Sequence, residues 1–231
     1  METIDYNNLY KIQDEVLSLI FEEPTELYLT GGTCLSRFYY AKRYSLDLDF
    51  FANSSNRFHF IIRSLLDKFS ARDIPYNTVS ETKDFIRLLV RNDLQVDFIN
   101  DRVKYAGKVQ AKNSYNIDNV YNILANKVTA ILSRDNIKDV FDIYLIAKYN
   151  SYNWTEIIKS ARDKMTFGVE EFCDRLASFP RNLIHQLDMI DADFLLNFDA
   201  EFDLLIDDVV KGKANSLLVT NNNRKSNFSD L

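Results

Sequence analysis

The pattern of apolar and polar positions predicts a chain that begins with mixed helices and strands. Apolar residues recur at helical spacing in two segments, 9–22 and 58–71, and a third helix is predicted after a glycine pair, over 33–44. Alternation or short apolar runs predict strands over 26–30, 45–51, 85–90 and 94–99. The turn Arg91-Asn92-Asp93 joins the last two strands into a hairpin.

Beyond residue 115 the strand patterns fade and helical spacing dominates. Helices are predicted over 117–132, 138–149, 154–162, 169–177 and 181–210. The fold class is therefore α+β (mixed α/β), with a small sheet flanked by helices in residues 1–115 and a helical C-terminal domain in residues 116–231.

Composition and charge narrow the classes of protein that the chain can represent. The two cysteines, Cys34 and Cys173, are too far apart for a CxxC motif, which excludes a disulfide framework and fits a reducing compartment. The N-terminus has no basic and apolar leader, and no run of 18 apolar residues occurs, so we expect a cytoplasmic protein with no membrane partner.

The net charge of −6 argues against a protein that coats nucleic acid non-specifically. Residues 101–150 nevertheless carry eight basic and five acidic side chains, so contact with a polyanion is expected there. Ordinary scatter of charge along the chain explains the same excess.

A pair of aspartates in S-L-D-L-D-F-F carries the first chemical signal. Asp47 and Asp49 are two apart on a predicted strand, so both carboxylates leave one face, with Cα atoms about 7 Å apart. Carboxylate oxygens are ligands that suit Mg²⁺ or Mn²⁺. The alternative is a solvated strand edge on which the two aspartates have no function.

Two further features favour the metal. Gly31-Gly32-Thr33 stands at a predicted strand-to-helix junction, where backbone N–H groups and the threonine hydroxyl can reach a phosphate. Asp97, in L-Q-V-D-F-I, is a third carboxylate on a strand. These are the parts that two-metal phosphoryl or nucleotidyl transfer requires. No GK[ST] follows the glycines, which excludes a Walker-type NTPase.

Two stretches carry a resemblance to a known family. The first is L-T-G-G-T-C-L-S-R-F-Y followed by R-Y-S-L-D-L-D-F-F, and the second is N-K-V-T-A-I-L-S-R-D-N-I-K-D-V-F-D-I-Y-L-I. The chain resembles the nucleotidyltransferases of the AbiEii/AbiGii toxin family, members of the DNA polymerase β-like superfamily, over about residues 27–145. The second stretch has the family's spacing of lysine, arginine and aspartate at Lys127, Arg134 and Asp139. The residue before the lysine is often acidic in the family and is Asn126 here.

The resemblance implies a role for each matched residue. Asp47 and Asp49 would bridge two Mg²⁺ (or Mn²⁺) ions, and Asp97 would complete the inner metal site and help deprotonate the attacking hydroxyl. Lys127 would neutralise charge on the departing phosphates. The turn Gly31-Gly32-Thr33 would hold the triphosphate.

The remaining matched residues have two interpretations. Arg134 would contact the nucleotide, and Asp139 and Asp142 would be structural or catalytic. Alternatively, Arg134 and Asp142 belong to a salt-bridged helix pair that holds the two halves of the chain together.

The implied function is Mg²⁺-dependent transfer of an NMP from an NTP to an acceptor hydroxyl. The acceptor implied is RNA, with tRNA preferred, and the biological role is that of a toxin held by an antitoxin protein. One alternative is a non-catalytic module that binds a nucleotide or a partner. Another is a small-molecule, aminoglycoside-type transferase whose acceptor pocket is lined with acids from the acidic C-terminal half of the chain. The eight acids of residues 182–210 form a solvated helix face or, alternatively, a docking surface for a basic partner.

Overall fold

The computed structural model describes residues 4–218. Eight α-helices lie within them: α1 Tyr6–Ile20, α2 Gly31–Cys34, α3 Phe58–Ala71, α4 Val120–Ser133, α5 Ile137–Tyr149, α6 Trp154–Arg162, α7 Val169–Ala177 and α8 Phe198–Val210. A π-helical turn, Leu35–Tyr39, continues α2, and 3₁₀ turns span Arg181–Gln186 and Ala192–Leu195. The strands are β1 Tyr28–Thr30, β2 Leu48–Asn53, β3 Tyr76–Glu81, β4 Phe85–Val90, β5 Leu94–Asp101, β6 Gln110–Lys112 and β7 Tyr115–Ile117.

The seven strands form one mixed sheet in the order β3-β4-β5-β2-β1-β7-β6. The pairs β2–β5 and β1–β7 are parallel, and the other pairs are antiparallel. Alternation along β2 buries Leu48, Phe50 and Ala52 and leaves Asp49 and Phe51 on the opposite, half-buried face. The sheet therefore has one apolar face within the core and one face that carries the polar residues of the central strands.

The predicted mixed α/β class is confirmed, but the sheet is larger than expected. β3 escaped prediction because its sequence, Y-N-T-V-S-E, is exposed on both faces at the sheet edge and so lacks an apolar side. β6 and β7 have three residues each and are joined by a tight turn in which Asn113 and Ser114 have positive φ.

The segment after the glycine pair departs from the predicted helix over 33–44. Helical structure ends at Tyr39, and the predicted strand at 45 begins only at Leu48. The chain between them is held by tertiary contacts: Lys42 O accepts hydrogen bonds from the N–H groups of Ile190 and Asp191, and Gln13 Nε2 donates to Ser45 O at 3.0 Å. These bonds, together with the bridge between Arg43 and Met189, hold the segment in a non-helical conformation.

The C-terminal part is helical, as the pattern predicts, with one correction. The helix expected over 181–210 is divided into two 3₁₀ turns and α8. Helices α4, α5 and α6 each begin at an asparagine whose side chain accepts from a backbone N–H: Asn119, Asn136 and Asn153. The predicted boundary at 115/116 falls inside β7, a strand of the sheet, and a division into two domains there stays a prediction.

Among residues 4–218, no helix combines the length and the hydrophobicity that a membrane span requires.

Candidate active site

Parallel pairing of β2 with β5 places two of the predicted carboxylates side by side. Asp49 and Asp97 are register partners, so their side chains leave the same face of the sheet. Asp47, two residues before Asp49, lines the same cleft of about 670 Å³. The sheet thus brings Asp97 beside Asp47 and Asp49, which are distant from it in sequence, on one wall of a cleft, with α4 and the start of α5 among its other lining elements.

Eight of the ten predicted site residues line this cleft: Gly31, Gly32, Asp47, Asp49, Asp97, Lys127, Arg134 and Asp139. Thr33 and Asp142 are fully buried beside it. The hydroxyl of Thr33 donates its hydrogen bond to the backbone carbonyl of Asp47. Thr33 ties the glycine turn to the loop that carries Asp47.

The two glycines make room for side chains of the site. A Cβ atom on Gly31, whose φ is +72°, would lie 2.6 Å from Asp49 Oδ2. A Cβ atom on Gly32 would overlap Nη2 of Arg43. Contact with Asp49 and Arg43 therefore explains why both positions lack side chains, whatever else the turn binds.

Burial and repulsion between neighbouring carboxylates both affect the pKa of Asp49. Burial, and then the charges of Asp47 and Asp97, raise the pKa of Asp49 to about 7, although Lys127 and Arg134 act in the opposite direction. Neither Asp47 nor Asp49 forms an ion pair within the described part of the chain.

The third carboxylate has a cationic partner. Arg87, on β4, donates from Nε to Asp97 Oδ1 at 2.7 Å and from Nη2 to Oδ2 at 2.6 Å. Within residues 4–218, no three His, Cys, Asp or Glu side chains stand ready as a metal-binding group. Hard carboxylate donors with an unneutralised charge nevertheless fit Mg²⁺ or Mn²⁺ at Asp47 and Asp49, whereas Asp97 is held by a guanidinium.

Lys127 is buried and paired with two carboxylates. Its side chain is only 10% exposed, and Nζ lies 2.7 Å from Asp139 Oδ1 and 2.6 Å from Asp142 Oδ2. Although burial opposes the charge, Asp142 and Asp139 raise the pKa of Lys127 above its ordinary value. The amine is charged and fully engaged by protein carboxylates.

Arg43 and Arg134 pair with the same two aspartates and extend the contacts of Lys127 into a larger network of ion pairs. Arg43 donates from Nε and Nη2 to Asp142, both at 2.9 Å, and Arg134 donates from Nε to Asp139 at 2.7 Å. Asp142 thus joins Arg43, which precedes β2, to Lys127 on α4, whereas Arg134 pairs with Asp139 and not with Asp142. We call Arg43, Asp142, Lys127, Asp139 and Arg134 the ion network. It contains three cations and two anions.

Sequence reasoning missed Arg43 and Arg87. Arg43 lies four residues before Asp47 in the quoted R-Y-S-L-D-L-D-F-F stretch, a signal that could have marked it. Arg87 is the one charged residue in the strand F-I-R-L-L-V, and its pairing with Asp97 follows only from the β4–β5 register.

Two other cations of the cleft have no carboxylate ion pair among residues 4–218. Lys138, half-buried in the first turn of α5, forms none. Lys164 donates to Lys104 O at 2.8 Å and to Asn122 Oδ1 at 2.9 Å, and burial lowers its pKa. Lys138 and Lys164 therefore line the cleft without a carboxylate partner in the described part of the chain.

Comparison with known proteins decides the family. The family model described as nucleotidyl transferase AbiEii toxin, Type IV TA system, matches residues 20–215. The chain belongs to the AbiEii family. The predicted resemblance is confirmed, and membership makes the chain a nucleotidyltransferase. No curated protein matches the sequence.

Solved structures support the fold. JHP933 from Helicobacter pylori aligns with a TM-score of 0.51 and 18% identity, over 91% of this chain and 90% of the other. A putative nucleotidyltransferase from H. pylori aligns with the same score and identity, over 91% and 92% of the two chains. The AbiEii-family chain therefore shares its architecture with these proteins over nearly its whole length.

Proposed function

We propose that the chain moves an NMP from an NTP to an acceptor hydroxyl and releases pyrophosphate. The observation that carries this proposal is the placement of Asp47, Asp49 and Asp97 on one wall of the cleft, with the pKa of Asp49 raised to about 7. Such a cluster is costly without a cation and is therefore a signature of function rather than of stability.

Asp47 and Asp49 are the proposed ligands of a divalent cation, Mg²⁺ or Mn²⁺, and Asp97 is the proposed third ligand. When bound, the cation would supply charge stabilisation at the phosphates and lower the pKa of the attacking hydroxyl. The hydroxyl oxygen forms a bond to the α-phosphorus while the bond from that phosphorus to the β-phosphate oxygen breaks. The hydroxyl proton passes to Asp97, which lies beside Asp49 on the same face.

We assign phosphate binding to Arg134 and Lys138, the cations that line the cleft between the end of α4 and the start of α5. The side chain of Arg134 is 59% exposed although it is paired with Asp139, and Lys138 has no carboxylate partner in the described residues. These two side chains are the proposed contacts of the triphosphate, whereas Lys127 acts indirectly, through Asp139, which it shares with Arg134. Gly31 and Gly32 remain proposed nucleotide contacts through their backbone, because they line the same cleft.

RNA, with tRNA preferred, is the proposed acceptor, and the proposed role is a cytoplasmic toxin controlled by an antitoxin protein. The family's description as the toxin of a type IV system supports this role, and the net positive charge of residues 101–150 suits a polyanionic acceptor. The aminoglycoside alternative loses support, because no acid of residues 151–231, the net-acidic part of the chain, lines the cleft within the described residues. Several of those acids are paired elsewhere, such as Asp191 with Lys42 and Glu201 with Lys148.

A labelled-transfer assay tests the acceptor. The purified chain is incubated with each NTP, labelled at the α-phosphate, and with total tRNA, tRNA-depleted RNA or an aminoglycoside. Label in tRNA alone is the expected result. Label in the aminoglycoside would support the small-molecule alternative, and no transfer to any acceptor would support the non-catalytic module.

A further inference from the structure

The pairing of Arg87 with Asp97 occupies both oxygens of one proposed metal ligand. The two residues are register partners across β4 and β5, and both Arg87–Asp97 bonds are shorter than 2.8 Å. Gln95 Nε2 also donates to Asp97 Oδ2, at 3.3 Å. Bidentate, charge-assisted pairs of this kind are among the stronger side-chain contacts in proteins.

The side chains of Arg87 and Asp97 differ sharply in their exposure to solvent. The Asp97 side chain is 8% exposed, whereas that of Arg87 is 36% exposed. Asp97 is therefore fixed by its strand, while the long arginine side chain has solvent space into which it can turn. Asp47 and Asp49 have no such cationic partner among residues 4–218, so Arg87 neutralises one carboxylate of the three.

We propose that Arg87 holds Asp97 in the place of a divalent cation, and that cation binding must exchange this ion pair. The proposal rests on the proposed function, because it takes Asp97 as a metal ligand. A guanidinium and a divalent cation compete for the same oxygens and repel each other. Arg87 thus sets how tightly the carboxylate cluster binds its cation, and keeps the cation-free cluster from carrying three uncompensated charges.

Manganese binding measures this competition without any transfer reaction. Chelator-treated full-length protein is titrated with Mn²⁺, and free Mn²⁺ is followed by electron paramagnetic resonance. Arg87→Gln is expected to bind Mn²⁺ roughly tenfold more tightly than wild type, because one charge within contact distance shifts a carboxylate equilibrium by about a power of ten or more. Equal or weaker binding by Arg87→Gln overturns the proposal.

Matched variants separate the possible causes of failure. Arg91→Gln removes an arginine that lies just after β4 and pairs with Glu15 outside the cleft. The Mn²⁺ affinity of this variant should therefore equal that of wild type. Arg87→Lys keeps the charge and loses the bidentate geometry, and should lie between wild type and Arg87→Gln. If Asp49→Asn binds Mn²⁺ as wild type does, the proposed metal site itself is wrong. If Asp49→Asn loses binding and Arg87→Gln gains none, only the exchange with Arg87 is wrong.

Discussion

Asp49 and Asp97 stand opposite each other on the parallel strands β2 and β5, on the face of the sheet that borders the cleft. This relationship brings together two carboxylates that are 48 positions apart in sequence. Because Asp47 adds a third charge and only Asp97 of the three has a cationic partner among residues 4–218, the carboxylates repel one another, and a bound cation can relieve this repulsion.

Stability of the cation-free protein should fall as the pH rises towards neutrality. Asp49 has a pKa of about 7 in the folded chain, against about 3.9 for an unfolded aspartate, so the folded state binds the extra proton between these values. The stabilisation is complete below the unfolded pKa and is lost as the pH rises through 7. Urea denaturation with a chelator, from about pH 5 to about pH 8, measures this slope.

In the Asp49→Asn variant, the free energy of unfolding should depend much less on pH. At neutral pH the variant should be as stable as wild type, or more stable. Asp67→Asn is the matched control, because Asp67 is exposed on α3 and forms no ion pair in residues 4–218. A slope that Asp49→Asn leaves unchanged would show that another group is responsible.

Lys127→Ala should destabilise the fold strongly. The change removes the amine that lies between Asp139 and Asp142, both fully buried, and leaves their charges less compensated. Breaking a buried pair in this way costs about 3–5 kcal/mol. Denaturant unfolding gives the value directly, and a loss below about 1 kcal/mol would contradict the buried ion network.

Lys138→Ala should separate phosphate binding from folding. Lys138 lines the cleft without a carboxylate partner in the described range, so its removal should change stability by less than about 0.5 kcal/mol. Loss of a charge-assisted contact should weaken binding of inorganic tripolyphosphate by about tenfold or more, as measured by calorimetry. Lys11→Ala, at an exposed lysine on α1, is the control. Equal affinities in the three proteins would remove Lys138 from the site.

Gly31→Ala should disturb the site more than an ordinary glycine substitution. The new methyl group would meet Asp49 Oδ2 at 2.6 Å, and a φ of +72° costs a residue with Cβ about 1–2 kcal/mol. Gly168→Ala is the control, because its φ is −82° and its Cβ would meet only the flexible end of Glu170, at 3.1 Å. A manganese affinity of Gly31→Ala equal to that of the control would contradict the contact.

Sequence pattern predicted much of the secondary structure for a clear physical reason. Helices α3, α6 and α7 and strand β4 begin and end where predicted, because each buries one face and carries its own periodicity. Prediction failed where contacts between distant parts of the chain determine the backbone conformation. Residues 40–44 are not helical because they bond to the segment around Ile190, and β3 is stabilised by pairing rather than by an apolar face.

The site shows the same division. The spacing of Asp47 and Asp49 follows from strand periodicity, and the residues of the second matched stretch do line the cleft or lie against it. Their pairing could not be predicted. Whether Lys127 faces solvent or two carboxylates depends on how α5 packs against α4, and whether Asp97 is free depends on the register of β4 with β5.

Transfer by Asp49→Asn tests the central claim most directly. Wild type, Asp49→Asn and the control Asp67→Asn are compared in the labelled-NTP assay, with a melting curve for each protein to exclude unfolding. If the carboxylate cluster is the catalytic site, Asp67→Asn should transfer the labelled nucleotide at the wild-type rate. Asp49→Asn should remain folded, and its transfer rate should fall on the order of 10²-fold or more, because a missing ligand misplaces both the hydroxyl and the α-phosphate. Near-wild-type transfer by folded Asp49→Asn would contradict the account.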